Sequence, residues 1–167
     1  IMMHGDDDGM VMPPRIAPQQ IVILPVTKAD NEEKVMTFCE KLRDDLKAKG
    51  LRVKLDNRDM RTPDKMWDAV KKGIPLRVEV GGREVDNNEL THIRRDIGRD
   101  SKTTVSVDQF LKEAKNILDD IHDSMLKKQR QFTGDNTHNM DSVQAIDDFF
   151  TEGSIGFVRA PVSLLEN

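Results

Sequence analysis

An uninterrupted apolar segment near the start of the chain constrains the fold more than any other feature. Residues 21–26 are Ile-Val-Ile-Leu-Pro-Val, a run that is typical of a strand buried on both faces of a helix-covered sheet. Apolar residues then recur at helical spacing over residues 35–46, and Gly50 marks the end of this helix. Residues 51–55 alternate between apolar and polar, as a half-exposed strand does. Strand, helix and parallel strand form a right-handed βαβ unit, which predicts an α/β fold.

Three more strands and two more helices are predicted up to residue 130. Pro63 predicts the first turn of a helix that ends near Lys72, and Ser106 predicts the cap of a long helix with an apolar stripe to residue 126. The further strands are expected at residues 76–80, 89–95 and 103–107. Together these elements predict a five-stranded mixed sheet with three flanking helices.

Local signals define the ends of several elements. Asp30, followed by Glu33, predicts the N-terminal cap of the first helix. Gly81 and Gly82 predict a turn after the third strand.

The two ends of the chain differ in composition from the middle. Residues 1–18 are polar and rich in proline, which predicts an extended connector. Residues 131–139 lack periodic apolar positions and predict a linker, before a short helix opened by Asp141 and a strand at residues 154–158. The expected organisation is therefore a connector at residues 1–18, an α/β domain at 19–130 and a partial α+β extension at 131–167.

Composition excludes several classes of protein. The chain has 26 Lys+Arg and 30 Asp+Glu and no apolar run of membrane-spanning length, so a cytoplasmic protein without membrane contact is expected. The single cysteine, Cys39, excludes an intramolecular disulfide and a zinc site built on several thiolates. Residues 52–102 hold 13 basic and 10 acidic side chains, which favours an anionic partner at the centre of an acidic chain.

No self-contained active site is visible in the sequence. Phosphate-loop, nucleophile-elbow and zinc-protease motifs are absent, and the four histidines are far apart. Cys39 lies on the apolar face of its helix, where core packing is the favoured interpretation over a nucleophile. His4 with residues 6–8 is a candidate for weak cation binding, but a solvated acidic turn is favoured. No catalytic and no metal-binding residue is therefore predicted.

Basic residues crowd into one segment that the pattern assigns to strands and turns. They are Lys71, Lys72, Arg77, Arg83, Arg94, Arg95, Arg99 and Lys102. Arg77 and Glu79 share the exposed face of a strand, and such a donor fork beside an acceptor suits the edge of an unstacked guanine. The alternative is an ion pair of little energetic consequence. Trp67 is a candidate either to stack on a base or to pack its helix against the sheet.

Longer motifs give the sequence a family resemblance. Residues 4–9 are His-Gly-Asp-Asp-Asp-Gly, and residues 10–18 are Met-Val-Met-Pro-Pro-Arg-Ile-Ala-Pro. Residues 72–84 are Lys-Gly-Ile-Pro-Leu-Arg-Val-Glu-Val-Gly-Gly-Arg-Glu. They resemble the family pattern Lys-Gly-(Val/Ile)-Pro-x-Arg-x-Glu-x-Gly-Pro-(Arg/Lys)-Asp. Over essentially its whole length the chain resembles prolyl-tRNA synthetases of the archaeal/eukaryotic-like type.

The resemblance implies a function for each segment. Residues 19–130 would be the anticodon-binding domain of a class II aminoacyl-tRNA synthetase, after the tail of the catalytic domain at 1–18 and before a C-terminal extension. The implied partners are tRNA for proline, the catalytic domain and, in the full enzyme, a second copy. Recognition of the two anticodon guanines is implied for Lys72, Arg77, Glu79, Arg83, Glu84 and Arg95, with weaker phosphate contacts from Arg99 and Lys102.

The chemistry implied by the resemblance lies outside this chain. ATP-dependent attachment of proline to tRNA, with ATP and magnesium, would belong to a catalytic domain, so this chain alone is expected to be inactive and to hold no cofactor. Aligning the glycines converts the family's Trp-Glu-Leu-Lys-Gly into residues 69–73, Ala-Val-Lys-Lys-Gly, which lack the carboxylate. Asp68 is its candidate replacement, while Gly82 replaces the family's proline and Glu84 its aspartate.

Two alternatives stay open at this point. One is the anticodon-binding domain of another class II synthetase or of a paralogue. The other is an α/β interaction module that binds no nucleic acid.

Overall fold

The computed structural model describes residues 3–28 and 30–165. It divides into two compact units, one ending at Met125 and one beginning at Leu126. Each unit is described separately below.

A five-stranded mixed sheet organises the first unit. Its order is β2-β1-β3-β4-β5, with β1 parallel to both β2 and β3, and with β4 antiparallel to both of its neighbours. The structure therefore confirms the predicted α/β class and the mixed sheet. In chain order the elements are β1 (Ile21–Val26), α1 (Glu32–Ala48), β2 (Val53–Leu55), α2 (Thr62–Lys71), β3 (Leu76–Gly81), α3 (Gly82–Asn87), β4 (Glu89–Arg94), β5 (Thr103–Ser106) and α4 (Val107–Asp135).

Helices cover both faces of this sheet. On one face, the apolar stripes of α1 and α4 pack on the strands in the main core, where Phe110 and Leu46 are fully buried. On the other face, Ala69 of α2 packs with Val22 and Leu24 of β1 in a second, smaller cluster. β1 is buried on both faces, as its unbroken apolar sequence predicts.

The prediction of three flanking helices and a turn at Gly81 is incomplete, because a fourth, short helix follows β3. α3 begins at Gly82, and the Glu84 carboxylate accepts a hydrogen bond of 3.0 Å from the N–H of Gly81. This side-chain acceptor supports the first turn of the helix, which offsets the low helix propensity of glycine.

The N-cap of α4 agrees with the sequence-based prediction, and the N-cap of α1 differs from it. The N-cap of α1 is Asn31 rather than Asp30, and the Asn31 side chain accepts a hydrogen bond from the N–H of Lys28 at 2.8 Å. The predicted cap at Ser106 is confirmed, since its hydroxyl accepts from the N–H of Gln109 at 3.3 Å.

The N-terminal segment packs against the C-terminal end of α2. The N–H groups of Met10 and Met12 donate to the carbonyl oxygens of Lys71 and Gly73, each at 3.1 Å. Gly73 has a φ of +65°, and a Cβ atom there would lie 2.5 Å from the carbonyl oxygen of Met10. Only glycine fits this close approach, so the residue ends α2 and also seats the segment.

The second unit contains two short parallel strands and a helix. They are β6 (Thr137–Asn139), α5 (Val143–Thr151) and β7 (Phe157–Arg159). The prediction that residues 131–139 form a linker is wrong, because α4 continues to Asp135 and β6 follows it. The cap of α5 is Ser142 rather than Asp141, because the Ser142 hydroxyl accepts from the N–H of Ala145. The domain boundaries expected from composition stay a prediction.

Candidate nucleic-acid interface

A pocket of about 710 Å³ lies beside α2, on the face of the sheet that this helix covers. The buried residues Ile74 and Ile93 supply apolar lining. The other lining residues come from the N-terminal turn, α2, β3 and the segment after β4: Asp8, Pro63, Met66, Trp67, Ala69, Val70, Arg77, Glu79, Arg94, Arg95, Ile97, Gly98, Arg99 and Lys102. The lining holds five basic side chains and two carboxylates, but Arg94 and Arg95 are paired with Asp96 and Asp6, so Arg77, Arg99 and Lys102 are the cations that remain for an anionic ligand.

Arg77 and Glu79 lie side by side in this pocket. Nε of Arg77 donates to Oε1 of Glu79 at 3.0 Å, and the two side chains are only 15% and 12% exposed. The prediction of a strand face open to solvent is therefore wrong. Leu24 of β1 is paired with Glu79 and lies on the same face, which α2 covers, so the pair lines a pocket instead.

The ion pair leaves part of the Arg77 guanidinium available. The bond to Glu79 uses Nε, and the terminal nitrogens Nη1 and Nη2 make no hydrogen bond to any residue within 3–28 or 30–165. A guanidinium held at Nε presents its terminal N–H groups in a fixed direction. The pair can therefore offer donors and a carboxylate acceptor to one ligand in the pocket.

Two exposed basic residues line the same pocket. Nζ of Lys102 lies 3.7 Å from Oε2 of Glu79, with its side chain 60% exposed. Arg99 is exposed in the segment between β4 and β5. Such mobile cations suit contact with phosphate rather than with base edges.

Arg95 is fixed by contacts within the protein. Its terminal nitrogens donate to both carboxylate oxygens of Asp6, and its Nε donates to the carbonyl oxygen of Val70 at 3.1 Å. These hydrogen bonds from Arg95 lower the pKa of Asp6. The sequence context of Asp6 favours a freely solvated acidic turn, but in the structure its carboxylate forms an ion pair with Arg95. Arg95 connects the N-terminal segment, the end of α2 and the end of β4.

The comparison with known proteins gives the family. A family model described as an anticodon binding domain matches residues 20–117. The chain belongs to this family. The match covers β1 to the first turns of α4, and thus the whole sheet and all lining residues of the pocket except Asp8.

Curated relatives extend the match over most of the chain. The proline–tRNA ligase of Thermococcus kodakarensis is 37% identical over 161 residues, covering 96% of this chain and 33% of the relative. The proline–tRNA ligase of Bdellovibrio bacteriovorus is 35% identical over 170 residues, covering 96% and 34%. That of Methanocorpusculum labreanum is 44% identical over 128 residues, covering 77% and 26%. These matches confirm the family resemblance of the sequence motifs, and the chain spans about a third of the length of the first two relatives.

Three of the implied anticodon-binding residues lie outside the pocket lining of the domain. Lys72 follows α2 and donates to Asp68 at 2.8 Å. Arg83 is exposed on α3, and Glu84 caps that helix through Gly81. The pocket therefore gathers Arg77, Glu79, Arg95, Arg99 and Lys102, while the other three implied residues are placed elsewhere. Their roles in RNA recognition stay predictions.

Asp68, the candidate replacement for the family's carboxylate, is already engaged. It accepts from Lys72 and, at 2.7 Å, from Arg58, and these cations lower the pKa of Asp68, with Lys72 the larger cause. Arg58 also binds the buried Asp56. Asp68 does not line the pocket, so it serves this ion-pair network instead.

Sequence reasoning missed several lining residues of the pocket. Ile97 has no motif around it, and the motif that contains Asp8 does not indicate that this residue lines the pocket. Trp67, left open between packing and stacking, is half exposed in the lining. Within the described ranges, no helix is long and apolar enough to span a membrane. The same residues include no group of three His, Cys, Asp or Glu side chains placed to hold a metal ion.

Proposed function

We propose that this domain binds the anticodon loop of tRNA for proline and recognises its two guanines in the pocket lined by Arg77 and Glu79. The observation that carries the proposal is the fixed Arg77–Glu79 pair in a pocket that Arg99 and Lys102 also line, with terminal Arg77 nitrogens that make no hydrogen bond to any described residue. Membership of the anticodon-binding family and the name proline–tRNA ligase on the relatives support it.

Guanine matches the chemistry of this pair. Its O6 and N7 atoms accept hydrogen bonds, which a guanidinium supplies in pairs, and its N1 and N2 groups donate, which a carboxylate accepts. Adenine has a donor in place of O6, an acceptor at N1 and no N2 group, so it would offer Arg77 only N7 as an acceptor and would not supply the N1 and N2 donors to Glu79. A buried polar group left without a partner costs about 1–3 kcal/mol.

In this proposal the exposed cations bind the RNA without reading its bases. Arg99 and Lys102 contact phosphates of the loop, and Lys72 and Arg83 contact RNA outside the pocket. Arg95 stays bound to Asp6 and shapes the pocket wall, and Glu84 maintains α3.

The remaining activity belongs to a longer enzyme of which this domain is a part. We propose that the enzyme is a cytoplasmic, homodimeric proline–tRNA ligase that uses ATP and magnesium in its catalytic domain. In such an enzyme, this domain selects the tRNA by binding it before the chemical step.

Titration of the chain with RNA hairpins tests the proposal. One hairpin displays a proline anticodon, a second has adenine at both guanine positions, and a third has inosine there, which lacks only the N2 amino group. Each adenine should lower affinity roughly 5- to 150-fold, so the hairpin with two adenines should show the product of two such losses, and the inosine hairpin should lose less. Equal affinity for all three would exclude anticodon recognition, and failure to bind any of them at low salt would favour an interaction module instead.

A further inference from the structure

Trp67 lies outside the cluster of buried apolar residues that holds α2 on the sheet. The cluster between α2 and β1 consists of Val22, Leu24, Ala69 and Ile74, with Met66 packed against it. Trp67 is absent from that cluster and remains 50% exposed. Because an indole ring is the largest apolar side chain, leaving half of it in water has a cost that core packing does not explain.

The indole lines the same pocket as the Arg77–Glu79 pair. Of the described residues that line this pocket, only Trp67 and Ile97 are large apolar side chains that are more than a third exposed. An exposed aromatic ring next to cations and a hydrogen-bonding pair is the combination that single-stranded RNA sites use, because bases have both an edge and a flat face.

We propose that the indole of Trp67 stacks on an unpaired base of the RNA loop while the Arg77–Glu79 pair binds a base edge. This inference rests on the proposed function. A base whose edge is bound by the protein no longer stacks on its neighbours in the RNA. Stacking on the indole restores part of the free energy that is lost when the base leaves them.

The composition of the chain makes stacking directly observable. Trp67 is the only tryptophan and the chain has no tyrosine, so the intrinsic fluorescence reports on this one side chain. The probe is an RNA hairpin with a proline anticodon, added to the full chain. We expect saturable quenching of the Trp67 emission, and weaker quenching when single loop nucleotides are made abasic at the stacked position.

Two substitutions distinguish a loss of stacking from a loss of the folded state. Trp67→Leu keeps an apolar helix-forming residue, and we expect it to weaken hairpin binding roughly 5- to 100-fold. Trp67→Phe keeps a ring, so its loss should be smaller. Met60→Ala removes an exposed apolar side chain outside the pocket lining and serves as the control, with unchanged affinity. Thermal unfolding of each variant checks that the fold is retained.

Salt dependence gives an independent readout. Because stacking releases no counterion, Trp67→Leu should keep the wild-type slope of log affinity against log salt while lowering affinity at every salt concentration. Quenching together with this parallel loss supports the inference. The stacking proposal would be overturned if the chain bound guanine selectively without quenching and Trp67→Leu kept wild-type affinity. Anticodon recognition would then remain supported. Binding that ignores the anticodon bases, or no binding, would overturn both.

Discussion

Asp6 and Arg95 lie 89 positions apart and are joined by two hydrogen bonds, of 2.7 Å from Nη1 and 2.6 Å from Nη2 of the guanidinium. The Arg95 side chain is 8% exposed and the Asp6 side chain 49% exposed. A third bond, from Nε to the carbonyl oxygen of Val70, engages the last of the three guanidinium nitrogens. Through these contacts one arginine fixes the N-terminal segment against the wall of the pocket.

Asp6→Asn should destabilise the domain in a pH-dependent way. The folded-state pKa of Asp6 is lowered by Arg95, so its stabilisation is complete above the unfolded pKa of about 3.9 and is lost as pH falls through the folded value. Because Asp6 is half exposed, solvent screening limits the effect to roughly 0.5–1 kcal/mol at neutral pH. Urea unfolding at several pH values measures it. Asp7→Asn, at an exposed neighbouring position, is the control; a pH-independent difference between the two variants would contradict the ion-pair explanation.

Arg77→Ala should remove discrimination between anticodon bases. Losing the guanidinium removes the paired donors for guanine, which costs about 1–3 kcal/mol of selectivity. Affinity for the hairpin with adenine should change less than affinity for the hairpin with guanine. Competition between the two hairpins measures the ratio directly. Arg43→Ala, which removes an arginine outside this pocket, should leave the ratio unchanged; a similar ratio in both variants would argue against a role for Arg77.

Lys102→Ala should weaken RNA binding evenly across anticodons. A phosphate contact is insensitive to the base, and its loss should reduce the slope of log affinity against log salt by about 0.7–1. Fluorescence titration at four salt concentrations provides the slope. The exposed Lys112 lies outside the pocket, and Lys112→Ala is the matched control. A loss confined to one anticodon base would show that Lys102 contacts a base instead.

The thiol of Cys39 should be unreactive in the folded protein. Burial raises the pKa of Cys39 to about 12, with a smaller contribution from Glu40, so almost no thiolate exists near neutral pH. Iodoacetamide at about pH 8 should modify Cys39 only after unfolding in urea. Mass spectrometry of both samples tests this expectation, and rapid labelling without urea would mean that the core around α1 opens readily.

The sheet could be predicted because its signal is local and repeated. The alternation of Leu76, Val78 and Val80 gave the faces of β3 correctly. The same alternation says nothing about what lies over a face, and for this reason the burial of Arg77 and Glu79 under the cover of α2 was missed. The short helix α3 was also missed, because six residues are too few for a hydrophobic period, and its first turn is supported by a side-chain bond from Gly81 to Glu84.

The pocket was predictable only in part. Its basic residues cluster in sequence, and the family motif singled out Arg77 and Glu79 among them. The Asp6–Arg95 pair could not be found in this way, because no periodicity links residues at that separation. Trp67 could be assigned to neither the core nor the surface until the neighbours of α2 were known.

The fit of Gly73 against Met10 has a consequence for mutational surveys of this domain. In a library selected only for folded protein, position 73 should keep glycine, whereas positions 77 and 79 should drift. In a library selected for RNA binding, all three should be retained. Comparing the two libraries would distinguish residues that are retained for architecture from those retained for decoding.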